Sequence, residues 1–332
     1  MIEHLLRYTN WNIVCLDRLD SAGSLNRLYS MPSWGTHRHR VAYRHHDLRA
    51  RVSHAVGCEI LGPFGREPFD RVIHMAAGSH VDRSVSEPTI FVLDNVLGTE
   101  HLLEFMLMPG AFRRDTGRAL HFSTDEVFGS APDGEAFKPW SRFNPTNVYA
   151  ATKAGAESLV IACAYTWQLP LTVTHCTNVT GHRQAAEKFL PIAMQQIASG
   201  NSVPIHAVSG MPCSRYYVDV ENVCSATLHI LEKGTLLDGS ERAGKYNICG
   251  DVELSNIELC ERIASLMGKK LKYHLVENPP GRLRPDLRYC VDDTELRALG
   301  WTPPVTFDAG LARTVELFLV DHPEFTKRRA PE

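Results

Sequence analysis

The chain has 332 residues, of which 44% are hydrophobic and 22% charged, a composition that excludes disordered and fibrous proteins and predicts a folded globular chain. Its 35 Lys and Arg against 38 Asp and Glu give a net charge of −3, so no overall positive field would attract nucleic acid. No apolar run approaches the ~18 residues of a membrane span and no signal peptide is visible, so we expect a cytoplasmic protein without a membrane partner. The nine cysteines include no Cys-x-x-Cys pair, and we expect no metal site.

The first half of the sequence alternates between short apolar runs and helical patterns. The opening residues predict an amphipathic helix with Ile2, Leu5, Leu6 and Tyr8 on its apolar face. Strands are predicted over 13–16, 41–48, 71–76, 119–123 and 171–176. Two long helices are predicted over 88–108 and 148–167. Alternating strands and helices are typical of α/β proteins whose parallel sheet is covered on both faces.

The second half has a looser pattern. Helices are predicted near 187–199 and 218–233, a capping box starts a helix at Ser255 with Glu258, and short strands are predicted over 245–249 and 287–291. These elements predict a smaller, mixed α/β substrate lobe. We find no internal repeat and no linker that would separate independent domains.

Tyr149 and Lys153 form the most informative pair, because a spacing of four residues places both side chains on one face of a helix. A tyrosine would need its pKa lowered from ~10 to ~7 to act as a base near neutral pH, and a neighbouring ammonium lowers it. The same spacing also occurs by chance in many helices.

Thr124, Asp125 and Glu126 directly follow the strand predicted over 119–123. In an open α/β sheet, ligands bind beyond the carboxyl ends of the strands. The two carboxylates could form a solvated turn in which Asp125 caps the next element. They could instead form an acid and base pair whose pKa values are separated by their surroundings.

Two other strand ends carry candidate ligand contacts. The strand before Ala76 and Ala77 ends in small residues, which let a ligand approach the backbone closely. Asp17 ends an early strand, where it could accept hydrogen bonds from a ribose diol or simply be a polar strand end.

Together these residues resemble the extended short-chain dehydrogenase/reductase family, and within it the nucleotide-sugar 4,6-dehydratases of the dTDP-glucose type. The matching positions are Asp17, Asp47-Leu48, the run that ends at Ser84, residues 123–127, the Tyr149–Lys153 pair, Asn178 before Gly181, Glu187-Lys188 and the Arg-x-x-x-Asp-x-Arg-Tyr pattern over 282–289. The resemblance implies a Rossmann-type doubly wound parallel sheet with a C-terminal substrate lobe. It also implies NAD as cofactor and a nucleoside diphosphate hexose, foremost dTDP-glucose, as substrate. The Asp-Glu pair after the threonine favours dehydration over epimerisation in this family.

The resemblance implies catalytic roles for five residues. Tyr149 would take the proton of the sugar C4 hydroxyl while hydride passes to NAD+, and Thr124 would hydrogen-bond the C4 oxygen. Glu126 would remove the C5 proton and protonated Asp125 would assist departure of the C6 hydroxyl as water, before hydride returns to C6. Lys153 would hold Tyr149 and the nicotinamide ribose.

The resemblance also implies two binding sets. The NAD contacts would be Asp17, Asp47, Leu48, Ala76, Ala77, Ser79, Tyr149 and Lys153. The sugar-nucleotide contacts would be Ser79, Thr124, Asn178, Lys188, Phe189, Pro204, Ile205, Arg215, Asn247 and Arg282. Arg215 is included because the family's phosphate-binding arginine aligns with Cys213, two residues earlier. Residues 1–178 would then bind NAD, and residues 179–332 mainly the sugar nucleotide, with some segments returning to the sheet.

In this family a first strand and a glycine-rich phosphate loop precede the helix with which this sequence opens. We therefore expect Met1 to be an internal methionine, with the start about 15 to 25 residues upstream, the length of a strand plus its loop. A sheet without that strand should contain a gap with unpaired backbone and an apolar slot.

Two alternatives remain at this point. An epimerase or decarboxylase of the same family would share most of these residues, and a pseudoenzyme or ligand-binding module that has lost the phosphate loop would bind dinucleotide weakly or not at all. We also expect a homodimer formed through the helices over 88–108 and 148–167, whose outward apolar residues suit that role.

Overall fold

The computed structural model describes residues 1–20, 23–240, 243–277 and 287–325. Its strands are β1 (Ile13–Asp17), β2 (Val41–His45), β3 (Arg71–His74), β4 (Arg118–Phe122), β5 (Leu171–Cys176), β6 (Asn178–Thr180), β7 (Val203–Val208), β8 (Met211–Pro212), β9 (Ser214–Asp219), β10 (Lys245–Ile248), β11 (Val252–Ser255), β12 (Tyr273–Glu277) and β13 (Arg288–Tyr289). Its helices are α1 (Ile2–Tyr8), α2 (Leu25–Tyr29), α3 (Trp34–His37), α4 (His54–Leu61), α5 (Val81–Ser86), α6 (Pro88–Phe91), α7 (Gly98–Leu107), α8 (Val148–Trp167), α9 (Phe189–Ser199), α10 (Val220–Lys233), α11 (Asn256–Leu266), α12 (Thr294–Ala298) and α13 (Phe307–Asp321). None of the described helices is both long enough and apolar enough to span a bilayer.

A four-stranded parallel sheet in the order β10-β5-β4-β3 forms the centre of the fold. Alternate strand residues point to opposite faces. Val160 and Leu103 of α8 and α7 therefore pack on Leu171 and Val173 at one face. On the other face, α10 packs on Leu120 and its neighbours. Helices cover both faces, as the strand and helix alternation predicts.

The prediction of one continuous helix over 88–108 is wrong in one respect, because the observed helix is interrupted. A π-helical turn over Val92–Leu97 separates α6 from α7. Within it, the Asn95 side chain accepts from Gly78 N at 2.7 Å, donates to Gly78 O at 3.1 Å and donates to Thr152 Oγ1 at 2.9 Å. Such wide turns recur at functional sites, and this one fixes the backbone that follows β3.

The expected gap in the sheet is present. Within the described residues β1 pairs only with β2, and β3 pairs only with β4. A cavity of about 1210 Å³ lies between β1 and β3 and is lined by both strands and by Met1 and Ile2. The two strands flanking this slot are mostly half-buried, whereas β5 and β10 are buried throughout. On α1, Leu5 and Leu6 are buried but Tyr8 is 61% exposed, so its placement on the apolar face is wrong.

The C-terminal part combines two small sheets with helices. One sheet has the order β11-β9-β13 with β6 added to β9, and the other has the order β12-β7-β8. Helices α9, α11 and α13 share one apolar core with them. The capping box predicted at Ser255 and Glu258 is confirmed at the start of α11. Before β11 and α11, the chain returns to the central sheet and contributes β10 next to β5.

Candidate active site

A short 3₁₀ turn over Asp125–Phe128 begins just beyond the carboxyl end of β4. The Thr124 hydroxyl accepts from Glu126 N at 3.4 Å and so caps the turn. Phe128 is buried and its ring lies 4.7 Å from that of His175, which anchors the turn to the sheet. Gly129 ends the turn with φ of +78°, and a Cβ there would lie 2.6 Å from Asn144 O, so glycine is required.

Helix α8 brings the second group of side chains to the same place. It starts at Asn147, whose side chain accepts from Ala150 N at 2.8 Å, and the prediction of this helix over 148–167 is confirmed. Tyr149 N donates to Ser84 Oγ at 3.2 Å. The Lys153 ammonium is buried and donates to the backbone carbonyl of Phe122, the last residue of β4. Both members of the pair therefore lie at the strand end that carries the carboxylates.

Asp125 has the environment of a proton donor. Its side chain is buried, and Oδ2 has no hydrogen-bond partner among the described residues. Burial and the neighbouring charge of Glu126 raise the pKa of Asp125 to about 7. The two adjacent carboxyl groups therefore form an unequal pair, with Asp125 protonated up to neutral pH.

The expected lowering of the Tyr149 pKa is wrong for this structure. Burial and the negative charge of Glu126 raise the pKa of Tyr149 above its usual value, although a hydrogen bond with Thr124 opposes the change. Burial also lowers the pKa of Lys153 to about 8. The physical reason is that burial disfavours the charged phenolate and Glu126 adds a nearby negative charge, while the Lys153 ammonium donates to the backbone carbonyl of Phe122.

Glu126 contacts two residues to which the sequence analysis gave no role. Asn147 Nδ2 donates to Glu126 Oε2 at 2.9 Å, and Tyr289 OH donates to the same oxygen at 3.3 Å. The side chain of half-buried Arg215 places its guanidinium 4.3 Å from the centre of the Tyr289 ring, next to the site. Asn147 could have been found as the polar residue that starts the helix of Tyr149, and Tyr289 as the last residue of the motif over 282–289.

A buried ionic cluster links α8 to strands β5 and β10. Glu157, one turn after Lys153, is fully buried and lies 2.7 Å from Lys245 Nζ and 3.0 Å from His175 Nε2. Although burial raises it, His175 and Lys245 together lower the pKa of Glu157 to about 2. Asn247 Oδ1 faces His175 Nδ1 at 2.9 Å and extends the cluster.

Residues predicted to bind NAD surround the ends of β1 and β3. Asp17 is exposed, and its carboxylate accepts from Leu19 N at 2.7 Å. Ala76 and Ala77 are exposed beyond β3, which leaves the strand end accessible to a ligand. Asp47 instead holds Arg49 through contacts of 2.5 and 2.8 Å.

Leu48 is half-buried against Gly98 and the apolar cluster beside α4. The Asp17 carboxylate offers a hydrogen-bond acceptor at one end of the residues predicted to bind NAD, and the Tyr149–Lys153 pair lies at the other end. This arrangement fits a cofactor that carries two riboses.

Only some of the residues predicted to bind the sugar nucleotide lie close to one another. Lys188 Nζ donates to Ser79 O at 2.7 Å, and this contact joins the C-terminal part to the segment after β3. Asn178 is exposed at the start of β6. Phe189, which starts α9, packs against the C-terminal core.

The remaining members of this set lie deeper or elsewhere. Ile205 is fully buried in the C-terminal core, beside half-buried Pro204 on β7. Asn247 is also fully buried, and its amide donates to Phe137 O and Asp292 O at 2.9 and 2.8 Å, so it braces the backbone here. Arg282 lies outside the described residues.

The sequence model of the GDP-mannose 4,6 dehydratase family matches residues 1–314. The low-salt glycan biosynthesis protein Agl12 of Haloferax volcanii is 34% identical over 321 residues, 96% of this chain and 94% of the relative. A dTDP-glucose 4,6-dehydratase of Streptomyces niveus is 38% identical over 251 residues, 75% of this chain and 70% of the relative.

Solved structures agree with these matches. The dTDP-glucose 4,6-dehydratase DesIV of Streptomyces venezuelae, crystallised with NAD and TYD bound, is 30% identical with a TM-score of 0.81, and the match covers 97% of this chain and 94% of DesIV. The Rossmann-type α/β fold expected from the sequence is thereby confirmed. The chain belongs to the GDP-mannose 4,6-dehydratase family and, within the extended short-chain dehydrogenases/reductases, to the dTDP-glucose 4,6-dehydratase-like enzymes.

Proposed function

We propose that this protein is an NAD-dependent nucleotide-sugar 4,6-dehydratase that converts dTDP-glucose to its 4-keto-6-deoxy product. The observation that carries the proposal is the meeting of Asp125, Glu126 and Tyr149 at the carboxyl end of β4. An epimerisation needs one group that exchanges a proton at C4. A dehydration needs in addition a base for C5 and an acid for the C6 hydroxyl, and the unequal carboxyl pair supplies both.

The oxidation step uses Tyr149, Thr124 and Lys153. Tyr149 and Thr124 hydrogen-bond each other and would hold the C4 oxygen between them. Tyr149 can take the hydroxyl proton only as the phenolate, so this step requires that its raised pKa fall when cofactor and substrate bind. Lys153 would hold the nicotinamide ribose, and Asp17 the adenosine ribose. The chemistry that bound NAD+ supplies is acceptance of a hydride and its later return.

The elimination step uses the two carboxyl groups. A ketone at C4 makes the neighbouring C5 proton acidic, and the Glu126 carboxylate removes it. Asp125, which burial keeps protonated up to neutral pH, gives its proton to the C6 hydroxyl, and the C6–O bond breaks to release water. One proton is taken and one is given, so the charge of the pair is unchanged overall and the two groups exchange roles.

Mass spectrometry of products tests the proposal. The chain is incubated with NAD+ and, separately, dTDP-glucose, UDP-glucose and GDP-mannose, and we expect the loss of one water from dTDP-glucose. The Glu126→Gln variant should retain C4 oxidation and fail to lose water. An isomerised sugar of unchanged mass, formed equally by wild type and Glu126→Gln, would instead establish an epimerase.

We also propose a cytoplasmic homodimer whose interface is formed by the helical segments 88–108 and 148–167. Val92, Tyr165 and Trp167 on these segments are 46%, 66% and 48% exposed, so these segments offer large apolar side chains to a partner. All nine cysteines are free, which suits a reducing compartment. Sedimentation velocity of wild type and Tyr165→Ser tests the interface, and a wild-type monomer at micromolar concentration would refute it.

A further inference from the structure

Asn147 joins the two halves of the site through a single side chain. Its Oδ1 accepts from Ala150 N at 2.8 Å and caps α8, while its Nδ2 donates to Glu126 Oε2 at 2.9 Å. A backbone N–H can only donate, so Oδ1 must face Ala150 and Nδ2 must face Glu126. The facing oxygen of Glu126 must then accept, and an ionised carboxylate is the stronger acceptor.

The groups around Glu126 come from four elements. Asp125 is its neighbour on the turn, Tyr149 faces it from α8, Arg215 from β9, and Tyr289 from β13. The Tyr289 hydroxyl donates at 3.3 Å to the same Oε2 that receives the amide. Two neutral donors thus converge on one carboxylate oxygen, and a hydrogen bond to a charged acceptor is stronger than one to a neutral acceptor.

Asp125 has the opposite surroundings. Its Oδ1 receives a hydrogen bond from Thr124 Oγ1 at 3.2 Å, and its buried Oδ2 has no partner among the described residues. An unpartnered buried oxygen favours the neutral acid. Burial and the unpartnered oxygen together favour the proton on Asp125.

We propose that Asn147 is a positioning residue that keeps Glu126 ionised as the proton acceptor and thereby leaves the proton of the pair on Asp125. The catalytic meaning of this assignment rests on the proposed dehydratase function, but the proton distribution itself does not. Asn147 therefore does more than begin a helix, because it couples the orientation of the base to the helix that carries Tyr149.

Serine tests this role because it is as good a helix cap as asparagine but has no amide. In the Asn147→Ser variant, the carboxyl carbon of Glu126 is followed by ¹³C NMR from pH 3 to 9, with its resonance assigned by Glu126→Gln. We expect its titration midpoint to rise by about one pH unit, as the loss of one hydrogen bond to a charged group implies. Asn147→Asp retains the cap and places a third carboxyl nearby, so its midpoint should rise further. The control is Asn201→Ser on an exposed loop, which should change nothing.

Kinetics with dTDP-glucose give the second measurement. We expect Asn147→Ser to lower kcat for water loss by up to about tenfold on the acidic limb, below the Glu126 midpoint, and to change it little at pH 7, with KM within about twofold of wild type. An unchanged Glu126 midpoint in folded Asn147→Ser and Asn147→Asp would overturn the proposal and leave Asn147 as a cap alone. If wild type does not dehydrate dTDP-glucose while the midpoint still rises, the proposed function fails and the positioning role stands.

Discussion

The Asp125→Asn substitution should make the protein more stable at alkaline pH. The folded-state pKa of about 7 lies above the usual 3.8, so folding favours the protonated form. The stabilisation is complete below pH 3.8 and is lost as the pH rises through 7. At ~1.4 kcal/mol for each tenfold change in proton affinity, wild type should lose about 2 to 3 kcal/mol of unfolding free energy between pH 5 and 8 that Asp125→Asn does not lose.

Urea unfolding of both proteins at pH 5, 6, 7 and 8 measures this difference. Other titrating groups contribute equally to the unfolding free energy of both proteins. The effect of Asp125 is therefore the difference between the two curves of unfolding free energy against pH. Asp133→Asn, which changes an exposed carboxylate on a loop, serves as the control and should follow wild type. Parallel curves for wild type and Asp125→Asn would refute the reasoning, because they would mean that Asp125 titrates alike in the folded and unfolded chains.

Three further outcomes follow from single contacts. Glu157→Gln leaves the buried ammonium of Lys245 without its partner at 2.7 Å and should lower the unfolding free energy by about 3 kcal/mol, measured by urea unfolding; an unchanged midpoint would show that water reaches the cluster. Ser255→Ala removes the capping box of α11 and should cost about 1 kcal/mol in the same assay, whereas Ser255→Thr should cost less. Tyr149→Phe should reduce the steady-state rate of product formation about 10²- to 10⁴-fold without changing the thermal midpoint, and near-normal turnover would exclude Tyr149 as the base.

Local sequence signals predicted most of the central sheet. The run over 171–176 is a strand with all six residues buried, and α8 follows from apolar residues that recur at spacings of three and four. The π-helical turn over Val92–Leu97 was not predictable, since it depends on the Asn95 contacts with the backbone at Gly78. Periodicity reports which face of a helix is apolar, but it carries no information about a side chain that binds a distant loop.

The candidate site was predictable in its residues and less so in its electrostatics. The spacing of Tyr149 and Lys153 placed both on one helix face, as observed. Their pKa values depend on burial and on Glu126, which are properties of the assembled fold. The contact between Tyr289 and Glu126 joins residues 163 positions apart, and one sequence without its relatives gives no measure of such a distance.

The slot between β1 and β3 divides the molecule into parts of unequal local stability. Among the residues that the structure describes, β1 and β2 share no strand pairing with the four-stranded sheet, and side chains attach them to it. Arg18 bonds Asp94 at 2.8 Å, and Arg71 lies 5.9 Å from the centre of the Trp11 ring. Segments with few buried contacts open at lower free energy than the core. The β1–β2 unit should therefore exchange its amide hydrogens earlier than the four-stranded sheet.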